Sequence, residues 1–451
     1  MNLNQPYTAL PPFCFERTLP TPLQEPKLIH KTYLTKSLGI DLSDAELCQW
    51  LNGELNLQGE DRISTRYGGH QFGVWAGQLG DGRALSLGVL NGFEIQTKGS
   101  GLTPFSRMGD GKAVIRSSVR EYLCSEAMHG LKIPTSRVLA LITGTDKVYR
   151  ETVERSGLIA RVFESNIRFG HFELFYHYGH TNELKALREY TKIDLVDVCT
   201  KTAKLIAQWM GVGFCHGVMN TDNMSIHGIT IDYGPFGFME DTQLNYICNH
   251  SDTNGRYSYH QQPSVALWNL ERLFVCFLNE FPKEKLEEIL NTFPQIYSDD
   301  MEKIGRKKLG LYTERSGDYL LFNRLLRLMH ELSLDFTFTF RQLSGDMKEF
   351  WEMYGTCRPM EEWLKEYKDR LSFESLSEEE RLSRMKSVNP KYVLKNYIAQ
   401  EVIADVESSG SKRLHEWLDV FYDPFQEHPD FHSYSKPTPY EHKHHVVSCS
   451  S

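Results

Sequence analysis

The stretch from His216 to Gly234, His-Gly-Val-Met-Asn-Thr-Asp-Asn-Met-Ser-Ile-His-Gly-Ile-Thr-Ile-Asp-Tyr-Gly, constrains this chain more than any other. Two short apolar runs, 224–226 and 229–231, lie around a His227-Gly228 turn signal, so the stretch predicts a β-hairpin. Asp222 and Asn223 stand at its start and Asp232 at its end. A hairpin with these ends brings Asn223 and Asp232 side by side as two oxygen ligands for one Mg²⁺, whose other ligands would be phosphate and water. Asp222, next door, is placed to receive a proton.

The order of these residues invites comparison with the protein-kinase catalytic loop, which has His, a catalytic Asp two places on, Asn seven places on, and then Asp-Phe-Gly. His216 and Asn223 keep that spacing, and Asp232-Tyr233-Gly234 stands where Asp-Phe-Gly would. Val218 occupies the position of the catalytic Asp and cannot accept a proton. The metal half of a kinase site is present and its base is not.

At 451 residues and 40% hydrophobic, the chain can bury a large core and is expected to form one two-lobed unit or two domains. Its net charge of −9 argues against a nucleic-acid partner and leaves room for a local basic pocket that holds a small anion. No apolar run reaches the roughly 20 residues of a membrane span, and the first residues lack a signal-peptide pattern. A cytoplasmic monomer without membrane contact is expected. Nine cysteines with no Cys-x-x-Cys spacing fit reduced intracellular thiols better than a disulfide framework or a zinc site.

Taken in order, residues 1–40 read as an extended arm, rich in proline over its first thirty positions. Ser43 and Glu46 form a capping box for a short helix that closes near Gly53. Residues 41–165 then read as a β-rich lobe. Glycines crowd the region 66–111, among them Gly80 and Gly82 beside Arg83, and Gly111 beside Asp110. Glycine lets backbone N–H groups turn toward a phosphate chain, although tight hairpins collect it too. A strand over 84–90, an Asn91-Gly92 turn and a strand over 93–98 ending in Lys98 follow the order of a kinase N-lobe. Residues 115–129 predict a helix on which Glu121 stands on a face free of other charge, and an isolated carboxylate there wants a cation such as Lys98. A polar loop over 103–111, which ordinary kinases do not need, lies between that strand and that helix. Arg161 and Arg168 flank the end of a further strand, and Arg suits bidentate phosphate contacts. Residues 166–425 read as the C-lobe, turning helical beyond about 190, with a stripe over 195–210 delivering the chain to His216 and Asp335 as an N-cap for the Phe-rich run that follows. Residues 426–451, with His428, His432, His442, His444 and His445, read as a solvated tail that holds Cys449.

Together, Tyr67-Gly-Gly-His-Gln-Phe-Gly73, Gly80-Asp-Gly-Arg83, Gln96-Thr-Lys-Gly-Ser-Gly101, the loop ending Gly109-Asp-Gly111, Arg120-Glu-Tyr122, the His216–Asn223 run and Ile231-Asp-Tyr-Gly-Pro-Phe-Gly237 resemble the selenoprotein O family, also called YdiU, over essentially the whole chain. The resemblance implies an α+β, protein-kinase-like two-lobed fold with a β-rich N-lobe, a mainly helical C-lobe and family-specific extensions. It further implies transfer of AMP from ATP to Ser, Thr or Tyr hydroxyls of proteins, with ATP bound in a flipped orientation. Carried over by motif, Asp222 is the proton acceptor, and Asn223 and Asp232 hold Mg²⁺, with Mn²⁺ an alternative. Lys98 paired with Glu121, together with Gly80, Gly82, Arg83, Asp110, Gly111, Arg161, Arg168 and Asp232, holds the nucleotide. A regulatory disulfide between Cys248 and Cys449 is also implied by the family alone. UMP transfer from UTP with Mn²⁺, a conventional protein kinase and a non-enzymatic nucleotide-binding pseudokinase stand as alternatives.

Overall fold

Central strands buried on both faces build a mixed architecture around one antiparallel sheet. The computed structural model describes residues 2–408, 410–443 and 447. In chain order the strands of the N-terminal part are β1 (Phe15–Arg17), β2 (Lys27–Lys31), β3 (Ile63–Thr65), β4 (Gly68–Gln71), β5 (Val74–Gln78), β6 (Ala84–Leu90), β7 (Phe93–Lys98), β8 (Ala113–Val114), β9 (Arg137–Tyr149) and β10 (Val153–Phe163). Eight of them form the main sheet in the order β1-β3-β6-β7-β10-β9-β2, with β8 pairing β10 off that path; β4 and β5 form a separate hairpin. The 84–90 and 93–98 strands fall where the sequence predicted them, closed by Asn91-Gly92 with Leu90 opposite Phe93. The arm is more than a cover, because its β1 and β2 supply the two edge strands of the sheet.

Side chains alternate across a strand, so the sheet has two faces with different tasks. One face, with Leu87, Ile95, Leu158, Ala160 and Val162, packs on Trp50 and Leu51 of the helix Asp44–Asn52. That helix has the predicted capping box at Ser43 and Glu46 and ends at Gly53 in the left-handed region. The other face carries Gln96 and Lys98, and register places Arg161 opposite Gln96. The helix Ile115–Gly130 lies across this face, packed on β9 and β10, and adds Val119, Leu123 and Met128 to the larger core.

That larger core runs on into the helical C-terminal part. The helix Leu195–Gly211 spans the predicted stripe, with Asp194 as its cap, and Asp335 accepts from the Phe338 N–H at 2.8 Å to start Phe336–Leu343. A β-rich N-terminal part and a helical C-terminal part give the two-lobed, kinase-like α+β fold. No helix among the described residues is long and apolar enough to cross a membrane. The tail departs from the solvated reading as far as residue 443: His442 stacks on Tyr397, His432 pairs with Glu349 at 3.2 Å, and Lys443 pairs with Asp241 at 2.7 Å. His444, His445 and Cys449 lie outside the described residues.

The predicted hairpin at 224–231 is not formed. Its first half bonds outward to the segment after β10, where Ser225 bridges Arg168 and the Phe169 N–H donates to the Met224 carbonyl at 2.9 Å. Its second half bonds to the segment before β9, where Thr230 bridges Thr135 and its N–H donates to the Pro134 carbonyl at 2.9 Å. Runs of three residues form too short a ladder to pair alone, and neighbouring backbone supplies better partners.

Lys308 is 3% exposed, with its ammonium 4.2 Å from the Phe340 ring centroid. Burial pushes its pKa down to about 7. Folding therefore opposes the charged form, and this penalty is fully present below pH 7 and vanishes as pH rises through the unfolded lysine value near 10.4. Lys308→Met is expected to stabilise the protein at pH 7 by about 1–3 kcal/mol, and urea midpoints should show that gain shrinking as pH approaches 10.

Candidate active site

Local structure brings the polar residues of both parts to one cavity of about 580 Å³. Gly80, Gly82, Arg83, Lys98, Asp110, Gly111, Glu121, Arg161, Arg168, Asp222, Asn223 and Asp232 all line it. Two of its walls depend on glycine. Gly80 has φ +144°, and a Cβ there would lie 2.5 Å from Cγ of Phe105; Gly111 has φ +70°, and a Cβ would lie 2.2 Å from the Gly101 carbonyl carbon. The 103–111 loop thus closes onto the Gly80 turn because neither glycine has a side chain.

Asp232 is the centre of the charge arrangement. Its Oδ1 accepts from Arg161 Nη1 at 2.6 Å and lies 3.6 Å from Lys98 Nζ, and its Oδ2 accepts from Arg168 Nη1. Glu121 completes the group, with Oε2 2.5 Å from Lys98 Nζ and Oε1 3.2 Å from Arg161 Nη1. Burial works against the Asp232 carboxylate, yet Arg168, Arg161 and Lys98 outweigh it and hold its pKa well below the usual range. Burial lowers Lys98 in turn, opposed by Glu121 and Asp232. Asp232 itself sits at φ +57°, a left-handed conformation that Asp tolerates better than most residues.

The loop before it is anchored by His216, whose Nε2–H donates to the Ile231 carbonyl at 3.0 Å and whose ring stacks on Trp209. Val218 lines the cavity in the place of a kinase base. Asn223 lines it too, and its Nδ2 donates to the Val218 carbonyl at 2.9 Å, leaving Oδ1 as its free donor atom. Asp222 is buried; Oδ2 accepts from Gln71 Nε2 at 3.1 Å, and Oδ1 has no hydrogen-bond partner among the described residues. Burial pushes this carboxyl up to about 7, against the Gln71 hydrogen bond and the charge of Arg168.

Sequence reasoning assigned no role to Gln71, although the Tyr67–Gly73 run stood out as a motif. Nor did it anticipate that Arg168 would join both acids, donating to the Asp222 carbonyl at 2.9 Å as well as to Asp232 while lying 5.0 Å from the Tyr67 ring centroid. Asp110, expected to help hold the nucleotide, lies ahead of the helix that begins at Ile115, and its carboxylate meets Arg150 in two bonds of 2.8 and 2.9 Å. Cys248 is a buried free thiol that donates to the Cys215 carbonyl at 3.3 Å, and burial raises its pKa well above the usual value.

Among the described residues no three His, Cys, Asp or Glu side chains converge as a preformed metal cage. One amide oxygen and one carboxylate are hard donors that fit a cation completed by phosphate and water, the way Mg²⁺ is commonly held at phosphate sites.

A kinase-like fold with a cationic, acid-tethered cavity and no kinase base defines a protein of the kinase-like class that is not built as an ordinary kinase. A sequence model of the family described as protein adenylyltransferase SelO matches residues 12–421. The chain belongs to the SelO family. It is also 41% identical over 471 positions to a protein nucleotidyltransferase YdiU of Yersinia pseudotuberculosis, covering 97% of this chain and 96% of that protein. Proteins of the same name from Photobacterium profundum (40% over 506 positions, 99% and 98% covered) and Burkholderia multivorans (44% over 427, 85% and 82%) match as well.

Removing one partner from a buried charge group leaves the others uncompensated. Arg168→Ala is expected to destabilise the fold by about 3–5 kcal/mol in urea unfolding, and Arg168→Lys to restore only part, since an ammonium lacks the second nitrogen that Arg168 gives to Asn166 Oδ1 at 2.9 Å.

Proposed function

We propose that this cavity binds ATP with Mg²⁺ and transfers AMP to Ser, Thr or Tyr hydroxyls of proteins. The observation that carries the reading is the Asp222 carboxylate, buried in the cavity with one oxygen unpartnered, beside three cations grouped on Asp232. The acceptor hydroxyl attacks the α-phosphorus, its proton passes to Asp222 Oδ1, and the bond from the α-phosphorus to the bridging oxygen breaks to release pyrophosphate. Lys98, Arg161 and Arg168 take up charge on the phosphates, and Glu121 holds Lys98 in place; preorganised charge of this kind is the largest contribution in such transfers. Asn223 and Asp232 would hold Mg²⁺, or Mn²⁺, which when bound supplies further neutralisation of phosphate charge. Asp232 would hold the cation through oxygens that Arg161 and Arg168 engage in this structure. The expected regulatory pairing of Cys248 with Cys449 draws support from the tail, where the Val447 carbonyl accepts from the His250 N–H at 3.0 Å, two residues beyond Cys248.

The position of the isotope tests the reaction. Label at the α-phosphate of ATP should reach protein and label at the γ-phosphate should not; γ-label alone on protein would mean an ordinary kinase. Asp232→Ala should abolish labelling, and Asp222→Asn should lower its rate by about 10²–10⁴-fold while nucleotide binding, followed by calorimetry, persists. Offering UTP with Mn²⁺ in parallel separates AMP from UMP transfer.

A further inference from the structure

Phe72, at the turn between β4 and β5, lines both the large cavity and a second one of about 440 Å³, so the two adjoin at its ring. β4 is tied to the Asp222 loop at successive residues. The His70 N–H donates to Thr221 Oγ1 at 2.7 Å, Gln71 to Asp222, and the Phe72 N–H to Asn220 Oδ1 at 3.2 Å and to the Tyr257 hydroxyl at 2.8 Å. Tyr257 in turn donates to Asn220 Oδ1 at 2.6 Å. The second cavity is therefore fixed to the same loop that carries the proton acceptor.

Charge decides what this cavity fits. Arg256 lines it, with its guanidinium 4.6 Å from the Trp268 ring centroid and covered by the turn at Gly73, where a Cβ would come within 2.9 Å of Cζ. Its Nε is buried without a hydrogen-bond partner and its side chain meets the Tyr257 hydroxyl, but no carboxylate forms a salt bridge with it among the described residues. Asp252 is the one acid lining the cavity, and it is already engaged with the backbone N–H groups of Arg256 at 3.0 Å and Tyr257 at 2.7 Å. A guanidinium without an acid partner and backed by an aromatic ring is a ready receptor for a carboxylate. Phe72, 40% exposed, and Val74, 70% exposed, add an apolar margin.

We propose that this second cavity docks the acceptor polypeptide, with Arg256 receiving an acidic side chain a few residues from the hydroxyl to be modified. The inference rests on the protein-directed transfer proposed above and names what that acceptor carries.

Fluorescent peptides test it. Each has one modifiable hydroxyl and either Glu or Gln at one flanking position, and the series moves that position along the peptide. Binding is read by anisotropy, which requires no turnover, and transfer by α-phosphate label. At one or two positions the Glu peptide should bind and label about tenfold better than its Gln partner. Arg256→Gln should erase that preference, and Arg256→Glu should turn it toward Lys, with KM for ATP unchanged in both. Equal binding of Glu and Gln peptides to the unmodified enzyme, or a Glu preference that survives Arg256→Gln, would overturn the docking site. Peptides labelled without acidic preference sink the docking proposal alone; peptides held through Arg256 yet never labelled uphold docking and sink the transfer reading.

Discussion

Five largely buried side chains of alternating charge, Glu121, Arg161 and Arg168 fully so and Lys98 and Asp232 in part, hold the two parts of this molecule in a working relation. Lys98 and Arg161 come from the sheet, Glu121 from the helix across it, Arg168 from the first turn of the helical part, and Asp232 from the loop beyond His216. Charges buried this deeply are tolerated only when each meets opposite charge at hydrogen-bonding distance, so the sheet, the helix and the loop must all be in place together. The surplus positive charge of the group, three cations against two acids, is the basic pocket that a chain of net charge −9 conceals.

Such an arrangement separates two acids that stand ten residues apart. Asp232 is surrounded by cations and stays ionised, whereas Asp222 has a single amide donor on its carboxylate and is raised by burial. Paired titratable groups whose surroundings drive them apart suit the proposed division of labour, in which one would hold charge and the other would exchange a proton. Gln71 belongs to that division, because it reaches Asp222 from a hairpin that a plain kinase N-lobe does not have.

Much of this was legible from residues alone, and the reasons are local. Asn91-Gly92 between two apolar runs permits little but a hairpin, Ser43 with Glu46 caps a helix by its own chemistry, and Asp335 could be read as a cap despite the strand-like alternation that follows it. The isolated Glu121 pointed to Lys98 because an unpaired buried acid is costly. What failed depended on distant backbone. The runs on either side of His227-Gly228 looked like a hairpin in isolation, but the segments near Arg168 and Thr135 offered better partners. Gln71 and Arg256 were invisible for the same reason: a glutamine or an arginine gains meaning only from the side chains that fold against it, and theirs lie more than a hundred residues away or across a turn.

The edges of the main sheet carry a consequence for biogenesis. Both are built from the first thirty-one residues, β1 against β3 and β2 against β9. β2 therefore cannot pair until residues 140–143, more than a hundred positions further along the chain, have been made. Until then the longer β9 forms that flank of the sheet; afterwards β2, only five residues long, forms it and offers other chains less to pair with.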